Sequence, residues 1–307
     1  MTAYLLKRVG TSIISLLVLI TVTFFLTRIM PGSPFQTGNL SAEVLVAMEE
    51  EYGLSETPGK QYFNYLRNLL GGELGISYQK PGVTAAEIIT RAWPATVVVG
   101  TLAVLLSVVA GTLLGICHGV TQSKLIQSGI FLGTTAGMAI PNFVFALFFM
   151  PLFGVKLRWF PIVGLTTAAN YVLPVLALAM YPTAVVTRLM RNAYEQEMAK
   201  EYVVMAQAKG ISKKRIMMGH VLKNACIPAV NYAGPAAAFM ITGSFAVESI
   251  FTIPGLGREF VMSISNRDYT MIMALTIFMG AIVIIMNLLT DVLCAWLNPS
   301  QRREEAL

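Results

Sequence analysis

Charge is what this chain has least of. Only 12% of its 307 residues are Asp, Glu, Lys or Arg, whereas 55% are hydrophobic and the mean hydropathy is +0.67. A soluble globular domain carries roughly 25% charged residues. So few charges cannot cover a soluble surface, and the bilayer is the solvent that suits the chain. Cysteine and histidine are scarce as well. Cys117, Cys226 and Cys294 stand far apart, with no CxxC pair and no His at ligand spacing, and read as small apolar filler in a reducing compartment. His118 and His220 belong to no HExxH or similar constellation, so no metal site is expected. There is no Gly-x-x-x-x-Gly-Lys-Ser/Thr loop, so this chain has no cradle for nucleotide phosphates. Paired intramembrane aspartates are absent, and no Ser/His pair shares a membrane depth, which speaks against an intramembrane protease. The charges gather at the ends of the apolar segments rather than near a midplane, which speaks against a proton- or sodium-driven carrier.

Long apolar runs are what it has in abundance. The first, Val9–Met30, would cover about 33 Å, enough to cross the hydrocarbon core. It exceeds a secretory h-region, and Pro31-Gly-Ser-Pro34 follows it instead of a small-residue cleavage site, so a retained first span is expected. Five more runs follow, at about Ala95–Val120, Gly129–Val155, Tyr171–Leu189, Ala229–Ile250 and Met271–Leu297. The expectation is an all-α membrane protein with six transmembrane helices. Its parts are a first helix at 1–30, an external helical loop at 31–94, and a five-helix core at 95–307. That core contains a cytoplasmic loop at about 190–228.

Lys and Arg place the two sides. Thirteen fall on the N-terminal flank, the second short loop, the basic connection between spans four and five, and the tail. The short loops opposite hold four: Lys156, Arg158, Arg258 and Arg267. Both termini and the basic connection are therefore expected in the cytoplasm of a bacterial inner-membrane protein. The net charge of +6 is accounted for by this asymmetry and calls for no nucleic acid. Pro141, Pro151, Pro174, Pro182, Gly234-Pro235 and Gly243 interrupt the later spans. Such breakers serve either ordinary packing or a path or gate.

In the external segment Tyr62, Tyr65, Leu66 and Leu69 recur as the stripe of an amphipathic helix, which Gly71-Gly72 should end. Further helices are expected at Ser41–Tyr52 and Val83–Arg91. The stripe must be buried against the spans, a partner subunit or a docking protein, and it is a candidate rim for an external binding protein. Glu248, near the end of the fifth run, has two readings. It is a gate-linked carboxylate at the external mouth, or a structural partner of Arg258 or Arg267. Asp291 has Arg188 or Lys7 as candidate partners.

The most informative stretch is Glu201–Pro228. It reads as a short helix, a break at Gly210, Ser212 as an N-cap, and a second basic helix. It can present Ala206, Ala208 and Gly210 to a partner at close approach, or serve as a juxtamembrane linker. Tyr202, the core Ala206-Gln-Ala208-Lys209-Gly210, His220-x-Leu222 and Asn224-Ala225 to Pro228 resemble the cytoplasmic signature loop of binding-protein-dependent ABC importer permeases, closest to the peptide-importer version. Val204 and Met205 stand where the general Glu-Ala form would fall. The resemblance extends along nearly the whole chain. It includes Pro31–Phe35, Gly72-Glu-Leu-Gly-Ile-Ser77, Arg91-x-x-Pro94-x-Thr96, Ile140-Pro141-x-Phe143, Gly243-Ser244 to Glu248, Pro254-Gly-Leu-Gly-Arg258, Asn266-Arg-Asp-Tyr269, Asp291 and Asn298-Pro299.

The resemblance implies a non-catalytic pore subunit of an importer, with Ser33-Pro34-Phe35 pointing to oligopeptides over dipeptide, glutathione or nickel-chelate cargo. It implies a second homologous permease, two ATP-binding subunits that hold the ATP and magnesium, an external peptide-binding protein and surrounding lipid. It also implies that Tyr202, Met205, Ala206, Ala208, Lys209, Gly210 and Ile211 form a coupling helix docked on an ATPase subunit. The charge asymmetry generates a prediction. In a variant otherwise free of cysteine, a Cys at Ser55 will react with an impermeant thiol reagent from outside, and one at Ser212 will not. The opposite labelling pattern would overturn the orientation.

Overall fold

In the computed structural model, residues 2–30 and 53–297 are described, together with Phe35 and Glu50. The expected helix at Ser41–Tyr52, the Pro31–Pro34 turn, the Asp291 side chain and Asn298-Pro299 lie outside what is described. Among the described residues the chain is helical, with one isolated β-bridge between Ile76 and Thr84. The first helix, α1 (Thr2–Ile29), is apolar and mostly exposed around its circumference. Helix α2 (Pro58–Leu70) ends where Gly71-Gly72 requires; Gly72 has φ +83°, which suits a residue without Cβ.

The next helix, α3 (Ala85–Val120), runs 36 residues with Pro94 inside it. The sequence suggested a separate helix up to Arg91 and a span from Ala95, and the two are one rod. Pro94 removes one hydrogen bond from the ladder, but the affected turn, around the exposed Thr90, lies near the start of the helix, open to solvent that can serve the freed carbonyl.

The third apolar run is not one straight span. It divides into α4 (Lys124–Ala139) and α5 (Asn142–Phe149), which continues through a π-turn to Lys156, and the two parts meet at 106° around Ile140-Pro141. Pro141 has no N–H to offer the preceding turn, and Ile140 is extended as residues before proline prefer. Helix α6 (Val172–Met198) then passes well beyond the expected end at Leu189. The short helix α7 (Glu201–Ala208) is followed by α8 (Lys213–Ile216), a π-turn at Met217–Val221, α9 (Leu222–Ala225) and α10 (Ile227–Ile241), which form a nearly continuous helical run. The fifth apolar run is likewise broken. Thr242–Ser244 separate the 15-residue α10 from α11 (Phe245–Ile250), and Gly243 sits at φ +99°. Helices α12 (Leu256–Ser265) and α13 (Tyr269–Leu297) complete the chain. Among the described residues four helices are long and apolar enough to cross a membrane, and the bent α4–α5 pair makes five.

Without water to drive apolar surfaces together, helices in lipid associate through close backbone approach. The α3–α6 pair is built that way. Gly111, Gly115 and Gly119 recur every four residues on α3 and face Val186, Met190 and Tyr194 of α6. A Cβ at Gly115 would stand 2.5 Å from Met190 Cβ and 2.7 Å from the Thr187 carbonyl. One turn above, the Ser107 hydroxyl donates to Ala103 O at 2.6 Å and lies 3.3 Å from Ala179 O. Helix α10 meets α3 at Gly100 and α13 at Gly234, and α1 rests on α13 where Gly280 faces Leu19. A prediction follows from the contrast with Gly129, which has nothing near its missing Cβ. Gly115→Val will cost about 1–3 kcal/mol through overpacking and lower the melting temperature of the purified complex, whereas Gly129→Val will leave it unchanged. Equal behaviour of the two would show that the glycine row does not set the helix spacing.

Candidate functional site

Beyond the end of α6, α7 folds back against α6 and the α8–α10 run. Val203 is fully buried there with Val186, Met190, Tyr194, Ile216, Val221, Ala225 and Ala229. Of the expected docking residues, Tyr202, Ala206 and Ile211 are half-buried against that cluster. Met205, Ala208, Lys209 and Gly210 are exposed, and so is Val204, which sequence reasoning passed over. Val204 and Met205 are 59% and 60% exposed, an apolar pair in a basic surround. Gly210 has φ +76° and nothing near its Cβ position, so glycine is favoured there by the chain reversal after α7. The chain resumes at Ser212, whose carbonyl accepts the N–H groups of Arg215 and Ile216.

Glu197, at the end of α6, anchors this corner. Its carboxylate accepts the Tyr202 hydroxyl at 2.9 Å and Asn224 Nδ2 at 3.3 Å, and pairs with Lys200. Burial and the bond to Glu197 both raise the Tyr202 phenol above its ordinary pKa. The same carboxylate raises Lys200 through their hydrogen bond. Tyr202 and Asn224, 22 positions apart in the motif, are thus tied to one acid that the motif does not contain.

The two interrupted apolar runs meet around Glu248. Its side chain is buried, 2% exposed, and neither guanidinium proposed from the sequence is its partner. Instead Glu248 Oε1 accepts the Thr96 hydroxyl at 3.0 Å, and Oε2 accepts the backbone N–H groups of Gly257 and Arg258 at 2.8 and 3.1 Å. Thr96 Oγ1 in turn accepts Leu256 N–H at 2.8 Å. The carboxylate therefore caps the first turn of α12, where free N–H groups and the helix dipole favour an anion. Arg258 turns its side chain the other way, 3.5 Å from the Thr252 carbonyl. A Cβ on Gly243 would lie 2.7 Å from Glu248 Oε1, one on Gly257 would lie 3.1 Å from Oε2, and one on Gly255 would collide with the same oxygen. Three motifs distant in sequence are the acid, the hydroxyl and the glycine-lined space of one polar joint.

A second joint, missed from the sequence, is centred on Asp268. This buried carboxylate accepts the Ser77 hydroxyl, Tyr78 N–H at 3.2 Å and Met271 N–H at 3.2 Å. Gln79 Nε2 donates to Asn266 O at 2.8 Å and Lys80 pairs with Glu259 at 3.0 Å. The signal was present as two separate motifs, Gly72–Ser77 and Asn266–Tyr269, which only the fold brings together.

The α2 stripe is turned toward α1. Tyr62 Oη and Thr21 Oγ1 are 2.7 Å apart, the Tyr62 and Tyr65 rings lie 5.2 and 5.9 Å from that of Phe24, and Arg28 Nε donates to Gln61 Oε1 at 2.7 Å. Burial raises the Tyr65 phenol well above its ordinary pKa. Tyr62, Tyr65, Leu66 and Leu69 are all half-buried, whereas Phe63 and Leu70 on the other face are 66% and 90% exposed. The stripe seats α2 on the first span and leaves the opposite face exposed.

Between the broken spans lies a cavity of about 620 Å³. Met138, Pro141 and Asn142 line it from the α4–α5 bend, Tyr181 from α6, and Tyr232 and Phe239 from α10. Its lining is mostly apolar with a few phenol, amide and hydroxyl groups. Among the described residues, no group of three His, Cys, Asp or Glu side chains gathers to hold a metal.

This fold, with interrupted apolar runs around a cavity and an exposed helix beyond the end of α6, suits a transport permease. The profile of the binding-protein-dependent transport system inner membrane component matches residues 107–303, and that family's N-terminal profile matches residues 1–102. The chain belongs to this family. It is 34% identical over 302 residues to the dipeptide transport system permease protein of Lactococcus lactis, covering 98% of this chain and 100% of that one. It is 35% identical to the oligopeptide transport system permease proteins of Haemophilus influenzae and Salmonella typhimurium, covering 98% of this chain and all of each. The fold is also similar to a chain of the inward-facing MetNI methionine ABC transporter, with a TM-score of 0.54 at 15% identity, over 69% of this chain and 97% of that one. The protein is a multi-pass inner-membrane permease subunit of an ABC importer and not itself a catalyst. Membership implies ATP-binding subunits and a substrate-binding protein.

The Glu248 joint yields a prediction. Glu248→Ala strands two N–H groups and a hydroxyl and will destabilise the purified complex by about 2–4 kcal/mol, whereas Arg258→Ala will cost under about 1 kcal/mol. Thermal melts of the two variants decide it: a larger loss for Arg258→Ala would restore the ion-pair reading.

Proposed function

We propose that the chain is one of two homologous permeases lining an oligopeptide import path. It would cross the membrane six times, with both termini cytoplasmic and the third and fifth crossings broken at Ile140-Pro141 and Thr242–Ser244. The first helix at 1–30, the external segment at 31–94 and the core at 95–307 then take separate roles: a lipid-facing anchor, an external rim and the moving path. ATP and magnesium act on two separate subunits, and an external binding protein delivers the peptide. The observation that carries this reading is full-length likeness to permeases named for peptides, at 34–35% identity. The cavity supports it, since a roomy, mainly apolar space with few directional groups suits cargo of variable sequence. Ser33 favours oligopeptides over shorter cargo.

The coupling surface is the exposed side of α7: Val204, Met205, Ala208, Lys209 and Gly210. Tyr202, Ala206 and Ile211 contribute from behind by fixing α7 on α6, so a push on the exposed face is passed to the α6 and α10 ends. A small residue at 208 permits close approach, and a long cation there would hold the surfaces apart. The test is Ala208→Arg in the assembled transporter, scored for peptide uptake and for binding-protein-stimulated ATP hydrolysis. Uptake will fall at least about tenfold, as loss of a central interface contact does, with the permease still in the membrane. Normal uptake at normal expression would sink the docking assignment. Uptake of di-, tri- and hexapeptides by the same preparation sets the cargo length.

A further inference from the structure

We infer that Arg188 is a contact for the carboxylates of the peptide in transit; this deepens the peptide-import reading and rests on it. Arg188 stands on α6 seven residues after Tyr181, which lines the cavity. At 3.6 residues per turn that is the same face, about 10 Å further along the axis. Its neighbours on α4 follow the same geometry. Thr135 and Phe131 lie three and seven residues before Met138, which also lines the cavity. Arg188 and these two residues thus extend one stripe from the cavity toward the cytoplasmic ends of α4 and α6. Thr135 is about 16 Å along α4 from Lys124, so the group lies within the inner leaflet rather than at its edge.

The guanidinium is held but not neutralised. Arg188 Nη2 donates to Thr135 Oγ1 at 2.7 Å, and its carbon lies 5.8 Å from the centre of the Phe131 ring. Among the described residues no carboxylate pairs with it, whereas Arg191, one turn on, is paired with Glu195 at 2.8 Å. A cation at this depth is costly unless it faces water or an anion. The hydroxyl occupies one donor of the planar fork and the ring covers one face, which orients the group and leaves its other N–H donors for a ligand. Both residues sit on the open side of α4: Phe131 is 52% exposed and Thr135 is exposed. A planar fork with free donors matches a carboxylate in two-point contact. Every unmodified linear peptide carries one at its C-terminus, and acidic peptides carry more. Binding here is a transfer step: it attracts the leading or trailing carboxylate from the cavity toward the cytoplasmic mouth, while screening by water keeps the contact weak enough to release.

The experiment uses the complete transporter in proteoliposomes, with the binding protein saturated by each peptide so that its own affinities drop out. Initial uptake rates are compared for matched peptides of equal length that carry two Glu, two Gln or two Lys. Arg188→Gln will lower the acidic-to-basic rate ratio by about fivefold, the scale of one screened charge contact. Arg188→Lys will keep the ratio near that of the unmodified transporter. An unchanged ratio in Arg188→Gln overturns the inference. An equal loss for all three peptides in both variants also overturns it, since that marks Arg188 as packing. Failure of the unmodified transporter to take up any of the peptides would instead strike the peptide-import reading itself.

Discussion

A helix broken inside a membrane leaves N–H and C=O groups that the bilayer cannot satisfy, and the architecture depends on how the break near Gly243 is closed. At the break itself the Thr242 hydroxyl donates to Phe239 O and Ser244 Oγ accepts the Val247 N–H, and the Glu248 carboxylate ties the restarted helix to α12 and α3. One oxygen takes two N–H groups from the start of α12 and the other takes the Thr96 hydroxyl from α3. The fifth run can therefore stop, turn and restart while its buried polar atoms stay paired. The three glycines around the carboxylate are the space it needs, because a Cβ on any of them would press on its oxygens. The cavity lies beside this joint and beside the Pro141 bend, so the irregular backbone and the proposed path are one feature.

The same device recurs at both ends of the molecule. Asp268 fastens the loop after α2 to the start of α13, and Glu197 fastens α7 to α6 and α9. Each is a carboxylate that serves backbone N–H groups, hydroxyls or an amide, with the exposed Lys200 added at the half-buried Glu197 site. Hydroxyl and backbone donors hold position without the long side chain and desolvation that a buried Arg pair would require. Buried contacts around Val203 join α7 to α6 directly, the connection that the proposed coupling would use.

Helix spacing is controlled separately. The glycines of α3 let α6 approach to backbone distance along three consecutive contacts, with Ser107 adding a hydroxyl bridge above them. Across this stiff pair, α4 and α10 are the more lightly held elements, and both end at a break. That division between a rigid pair and interrupted neighbours suits a path whose walls must change position relative to a fixed frame.

The helical class, the apolar runs and the external amphipathic helix could be read from the sequence, because periodicity and hydropathy are local properties and the bilayer rewards them directly. The turn at Gly71-Gly72 and the break at Gly210 were legible for the same reason: their backbone conformations favour glycine. Whether a proline bends a span was not legible. Pro94 is absorbed into α3, where water can reach its freed carbonyl, while Pro141 turns the chain through 106° beside a cavity. The partner of Glu248 was also misjudged, since charge complementarity pointed to Arg258 or Arg267 and the actual donors are backbone N–H groups and a hydroxyl 152 residues away. The α2 stripe announced a buried face, but only its contact with Phe24 decided that α1 covers it. Local pattern alone determined which segments form helices and which residues seek burial. Tertiary structure decided which carboxylate serves which donors, because a hydrogen-bond partner is chosen by proximity in space and leaves no trace in spacing along the chain.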